Sequence, residues 1–176
     1  MRATDIGANE YDAFYANYIK VLDDIELMKA MEEGANQFSK LLEALPEGKM
    51  LYAYAPGKWT IAEVVLHVID AERVFQYRLL RIARGDQTNM PGFEENDYVP
   101  ASKANLRSRE SLLKELKAVR ASSIELVKSF DEEAFSSKGF VMNNPFTARA
   151  IAFIICGHMK HHVNVIEDRY LKYKGA

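Results

Sequence analysis

What this chain has little of narrows it first. It carries a single cysteine, so no internal disulfide can staple it, which fits a reducing compartment and a fold held by its apolar core. Its longest purely apolar run is "AIAFIIC", Ala150 to Cys156, far short of the roughly 20 residues that cross a bilayer. The first 20 residues, "MRATDIGANEYDAFYANYIK", lack the continuous apolar segment of a secretory signal. Neither sign of charge dominates: 23 Lys and Arg stand against 25 Asp and Glu, a net charge of -2. There is thus no basic field to attract a phosphate backbone. We expect a cytoplasmic protein with no membrane segment and no nucleic-acid partner. Proline (5) and glycine (9) are few in 176 residues, and no low-complexity tract or linker divides the chain. A single domain over residues 1–176 is therefore expected.

What is present is helical periodicity. Four segments carry it, separated by stretches rich in Gly, Pro, Asn and Ser. The first is expected from about Tyr11 to Leu45, with a break near Asp23 and Asp24 and a stop at "PEGK". The second starts at "WTIAEV", where Thr60 and Glu63 have the spacing of a capping box and Trp59 and Val64 that of a hydrophobic staple. It is expected to end near Arg84, before the glycine of "RGD". A third covers roughly Leu106 to Phe130 and a fourth roughly Thr147 to Tyr173. Strand signals are weak: "MLYAYA" and "GFVM" read as extended loops. The fold class expected is all-α, a four-helix bundle.

The four histidines are His67, His158, His161 and His162. At about 100° per residue, His158 and His162 project into the stripe of Ile151, Ile154, Ile155 and Val165, with His161 about 60° to one side. Cys156 points about 160° away, which removes it from any shared site. On the second helix His67 falls in the arc of Val64, Val68, Phe75 and Ile82. A lone histidine on an apolar face is more often a core residue bonded to a carbonyl than a ligand. A pair at i, i+4 is more specific, because it stacks two imidazoles where one metal can bridge them. If the second and fourth helices run parallel, His67 and His158 lie at similar heights, about 10 and 16 Å into their helices. Three histidines with open coordination positions are what catalytic metals use, whereas structural zinc is usually closed by four protein ligands.

Two stretches, "YAPGKWTIAEVVLHVIDAERVFQYRLLRIARGDQTNMPGFEENDYV" and "TARAIAFIICGHMKHHVNVIEDRYL", resemble the DinB-like superfamily of four-helix-bundle metal-dependent proteins, YfiT-type members in particular. This is not the error-prone polymerase that shares part of the name. The resemblance covers most of the chain and is weakest over the first helix. It implies a divalent metal held by one histidine of the second helix and two, at i, i+4, of the last, which here are His67, His158 and His162. Some relatives are thiol S-transferases that use bacillithiol, and others are mycothiol-dependent isomerases. Certain isomerase relatives place a glutamate where His158 stands, so an all-histidine set tilts away from them. The resemblance also implies a homodimer.

The function expected is that of a metalloenzyme of hydrolase or thiol S-transferase type, acting on a small-molecule substrate. Its metal would activate a water or a low-molecular-weight thiol. Zn or Ni is the expected metal, with Fe or Mn as the alternatives, because imidazole does not discriminate sharply among them. A non-enzymatic metal-binding protein and an interaction bundle with a decayed site are the competing readings. The 19-residue stretch Gly85 to Lys103 offers Glu94, Glu95, Asp97 and Tyr98 as acid, base or substrate contacts. His161, Glu63 and Asp70 flank the ligands and are candidate acceptors for imidazole N–H groups, although capping is the first role of Glu63.

Overall fold

A computed structural model of the chain describes residues 1–46 and 48–172. Four long helices form the bundle: α2 (Leu27–Glu43), α3 (Ile61–Ala83), α5 (Arg109–Lys128) and α7 (Ala148–Val165). Helices α2 and α3 each pack on both α5 and α7, so α2 and α3 occupy one diagonal of a square. The break foreseen near Asp23 is real. Short helix α1 (Ala16–Lys20) ends before it, Asp23 takes a left-handed conformation, and Glu26 caps α2 by accepting from the Met28 and Lys29 amides. The capping box holds α3 as expected: Thr60 Oγ1 accepts from the Glu63 amide at 3.2 Å, and Glu63 accepts from the Thr60 amide at 2.8 Å. Among the described residues no helix is long and apolar enough to cross a membrane.

Several expectations about the elements are corrected. "GFVM" is not a loop. It belongs to a hairpin of β1 (Lys138–Val141) and β2 (Asn144–Thr147), paired Val141 to Asn144. Met142 and Asn143 both have φ above zero, as a two-residue turn matched to strand twist requires. The stretch after α3 is not featureless: it contains α4 (Glu95–Ala101), capped by Glu94, which accepts from the Asn96 amide. The hairpin edge orders this stretch, since the Met90 amide donates to the Phe140 carbonyl and the Met142 amide to the Met90 carbonyl, both at 2.9 Å. The last helix changes at Ile166 to a wider π-helical turn that runs to Leu171, and the expected end at Tyr173 lies outside the described residues. The third helix begins at Arg109, capped by Ser108, because Ala104–Leu106 forms a separate 3-10 turn. Helix α6 (Glu132–Ser136) completes the fold.

The apolar core falls into two clusters. One holds Met31, Ala71, Phe75, Val127 and Cys156; the other holds Phe38, Ile69, Leu116, Val119 and Met159. Between them, at one level of the bundle, lies a polar layer. Arg120 of α5, 1% exposed, donates from Nε and Nη2 to the Glu72 carboxylate of α3 at 2.8 and 2.9 Å, and from Nη1 to the Met31 carbonyl of α2 at 3.0 Å. Its Nη2 also meets the Met159 sulfur of α7 at 3.4 Å, and the Ser123 hydroxyl donates to Glu72. All four helices thus contribute to satisfying one buried charge pair. Removing either charge would strand the other, at about 3–5 kcal/mol.

Candidate metal centre

The three histidines selected by face arithmetic meet. One ring nitrogen from each of His67, His158 and His162 lies within 4.8 Å of the others, and His67 Nε2 stands 3.1 Å from His158 Nε2. They meet because α3 and α7 are antiparallel, not parallel. The Tyr170 hydroxyl, beyond the end of α7, donates to the Trp59 carbonyl just before α3, while Arg78 near the end of α3 faces the same small cavity as Ile151 and Ile154 near the start of α7. His67 is seven residues past the Thr60 cap and His158 seven before Val165, which puts both about 10 Å from the same end of the bundle.

Burial keeps these rings neutral. His67 is 9% exposed and His158 5%. Desolvation, with the neighbouring His161, takes the pKa of His67 down to about 4. His158 and His162 are pushed well below the ordinary histidine range, first by burial and then by the other histidines. His162 Nδ1 is buried with no hydrogen-bond partner among the described residues, which at a purely structural position would cost about 1–3 kcal/mol. Two nitrogens that share a tetrahedral zinc at 2.0–2.1 Å are about 3.3 Å apart, close to the spacing of His67 and His158. Donor type, protonation state and spacing therefore fit a divalent ion, with no carboxylate in the set to offset its charge.

Aromatic rings fix the imidazoles in place. Trp59 lies against His67, with centroids 4.9 Å apart, and Tyr18 and Phe75 meet His158 edge-on at 5.3 and 5.6 Å. Tyr18 arrives on α1, which can approach α7 so closely only because residue 157 is glycine: a Cβ there would lie 1.8 Å from the Tyr18 carbonyl oxygen. Neither Tyr15 nor Tyr18 was singled out from the sequence, since the first helix carries no polar pattern to mark them. Burial raises the pKa of both phenols, so they remain O–H donors.

A cavity of about 350 Å³ opens onto His67 and His158 and is walled by Tyr15, Tyr18, Phe75, Phe93 and Arg78. Its floor is one stripe of α3: His67, Ala71, Phe75 and Arg78 recur at i, i+4, i+8 and i+11. A second cavity of about 240 Å³ reaches His162 from the other side, between Trp59, Asn96 and Tyr170. Of the four loop candidates the structure brings only Glu95 to the first cavity. Glu94 is a helix cap, and neither Asp97 nor Tyr98 lines either cavity. Met142, at the hairpin tip, also faces this space.

The expected acceptors behind the imidazoles are not there. Glu63 is spent on its cap and on Asn105, Asp70 lies 3.4 Å from Arg73, and half-buried His161 packs its ring against Tyr18 and His162. Cys156 is excluded as foreseen: it is buried, its thiol is directed at the Ala152 carbonyl, and burial pushes its pKa up to about 12.

Comparison with known proteins agrees with this architecture. The family model of the DinB superfamily matches residues 30–166. A curated protein of Oceanobacillus iheyensis, named "Putative metal-dependent hydrolase", is 23% identical over 146 residues, 81% of this chain and 83% of that protein. Among solved structures, YfiT from Bacillus subtilis, described as a probable metal-dependent hydrolase with an unusual four-helix bundle topology, superposes with a TM-score of 0.71 at 15% identity, covering 90% of this chain and 91% of that one. The mycothiol-dependent maleylpyruvate isomerase superposes with a TM-score of 0.66 at 14% identity over 80% of this chain and 60% of that one. With most of its length matched by the family model and its bundle matched by both structures, the chain belongs to the DinB superfamily.

Proposed function

We propose that the protein is a metal-dependent enzyme in which His67, His158 and His162 hold one divalent ion at the inner end of the larger cavity, and that it is a hydrolase or a low-molecular-weight-thiol S-transferase. The observation that carries this reading is the junction of a neutral three-nitrogen cluster with an open, aromatic-walled cavity. A metal store would need the cluster without the cavity, and a decayed site would leave the histidines in a dry core. When bound, the ion would supply Lewis acidity that brings the pKa of a water or thiol toward neutrality.

The chain's own residues have separate tasks in this reading. The imidazoles stay uncharged, and each keeps one ring-nitrogen lone pair free to bind the ion. Tyr18, a neutral phenol edge-on to His158, donates its hydroxyl proton as a hydrogen bond to an oxyanion in the cavity. Glu95 is the carboxylate on the wall that accepts the proton lost by the nucleophile. Phe75 and Phe93 exclude bulk water and hold the apolar part of the substrate.

Elemental analysis of untagged protein tests the centre. About one Zn or Ni per chain is expected in the wild type and in His161→Ala, and none in His162→Ala. Ester hydrolysis and the transfer of cysteine or another small thiol to an aryl chloride then separate the two reaction classes. If no variant, the wild type included, takes up metal after reconstitution with Zn or Ni, the reading fails.

A further inference from the structure

Arg78 is the group of the cavity wall that neither the fold nor the histidine cluster uses in full. It is 4% exposed, yet its hydrogen-bond partners among the described residues are neutral oxygens only: Nη2 donates to the Pro91 carbonyl at 2.8 Å and the guanidinium also meets the Tyr15 hydroxyl, which leaves most of its five N–H donors without an acceptor. The other arginines with deeply engaged guanidinium groups each have a carboxylate of their own: Arg120 grips Glu72 through two nitrogens, and Arg149 grips Glu10 likewise. Around Arg78 the charged or titratable neighbour is the Tyr15 phenol, and among the described residues no carboxylate pairs with it. Asp12 and Glu95 line the same cavity, but neither is in ion-pair contact with Arg78 among the described residues, and Asp12 accepts from the Phe14 amide.

The position of Arg78 matters as much as its isolation. It ends the stripe that begins at His67, about 16 Å further along α3, and side chains on a helix lean back toward its N-terminus. The guanidinium and the histidines therefore face each other across an apolar span walled by Phe75, Phe93 and Tyr15. A planar fork with free donors matches a carboxylate.

We propose that Arg78 is the anion-binding end of the substrate site and that the substrate is an organic acid. Its carboxylate sits on Arg78, its apolar body between the aromatic walls, and its reactive group at the histidines. This deepens the metalloenzyme reading and takes from it the location of the reacting end.

The test is calorimetry on the full chain, chelator-treated and zinc-loaded, with phenylacetate, 3-phenylpropionate and 4-phenylbutyrate against their primary amides. At least one acid is expected to bind the chelated protein about tenfold or more tighter than its amide, the scale of a charge-assisted pair. In Arg78→Gln that preference should vanish, while in Phe93→Leu it should persist although both ligands weaken. Should Arg78→Gln fail to fold, Arg78→Lys decides instead: the charge stays, the fork goes, and the acid weakens while the amide does not. The proposal is overturned if acid and amide bind alike, if no acid of the series binds, or if the preference survives in Arg78→Gln. Zinc content of the same samples separates the two readings. One zinc per chain without acid preference ends this proposal alone, and acid preference without zinc uptake ends the metal reading alone.

Discussion

Replacing Gly157 with alanine pits two opposed effects against each other. Alanine inside a helix is intrinsically better than glycine by about 1 kcal/mol, so on propensity alone the protein should gain stability. Against this, the new Cβ would lie 1.8 Å from the Tyr18 carbonyl oxygen and 2.5 Å from its carbon. These are backbone atoms, so no rotamer change relieves the clash; α1 must withdraw by about 1 Å or more. Overpacking of this kind costs typically about 1–3 kcal/mol, and the upper end is apt where backbone must move. The clash wins by about 2 kcal/mol, which for a chain of this length lowers Tm by about 4–8 °C. Gly34→Ala is the control. It too lies inside a long helix, but its Cβ would meet the Arg120 Nη1 and Met159 sulfur at ordinary distances of 3.7 and 3.8 Å, so Tm should rise by about 2–4 °C. Both are measured by circular dichroism melting on chelated protein, since bound metal raises Tm by mass action. A Gly157→Ala protein that melts at or above the wild type would refute the reasoning.

Two further outcomes follow from the polar groups. In a double-mutant cycle, Glu72→Leu and Arg120→Met should each cost about 3–5 kcal/mol in denaturant unfolding, while the double variant should lose far less, because no charge is left unpaired; additive losses would show that the pair is not coupled. Chelated protein should lose stability as pH falls. An unfolded His67 protonates near 6.5 but the folded one only at about 4, so in that window the unfolded state binds the extra proton. Stability contributed by this group is full above 6.5 and declines by about 1.4 kcal/mol per pH unit below it. A urea midpoint flat between pH 6.5 and 4.5 would contradict the neutral, buried cluster.

Much of the centre was legible in the sequence because the relevant information is local. The 3.6-residue period assigns His67, His158 and His162 to inward faces, and Thr60 with Glu63 marks the start of α3 within one turn. What escaped depends on contacts between segments distant in sequence. The Gly85 to Lys103 stretch looks like a loop by its Gly, Pro and Asn, and becomes ordered only because β1 offers a backbone edge at Phe140 and Met142. The direction of α7 against α3 is likewise set by packing that a periodicity cannot express. Two buried charges did leave a signal: Arg78 lies on the stripe of His67 and Phe75, and Arg120 between Leu116, Val119 and Ser123. A charge on an otherwise apolar face asks for a partner, and for Arg120 it is Glu72.

The layer of Arg120, Glu72, Ser123 and the Met31 carbonyl also bears on how the helices are indexed along the bundle axis. Apolar side chains are nearly interchangeable, so one turn of slippage, about 5.4 Å, would trade leucine for valine at little penalty. The same slip would drag the guanidinium into hydrocarbon and strip the carboxylate of its donors, a loss of several kcal/mol. The ion pair thus works as a detent. It permits one axial setting of α2, α3, α5 and α7, and that setting is the one in which His67 and His158 face each other at 3.1 Å.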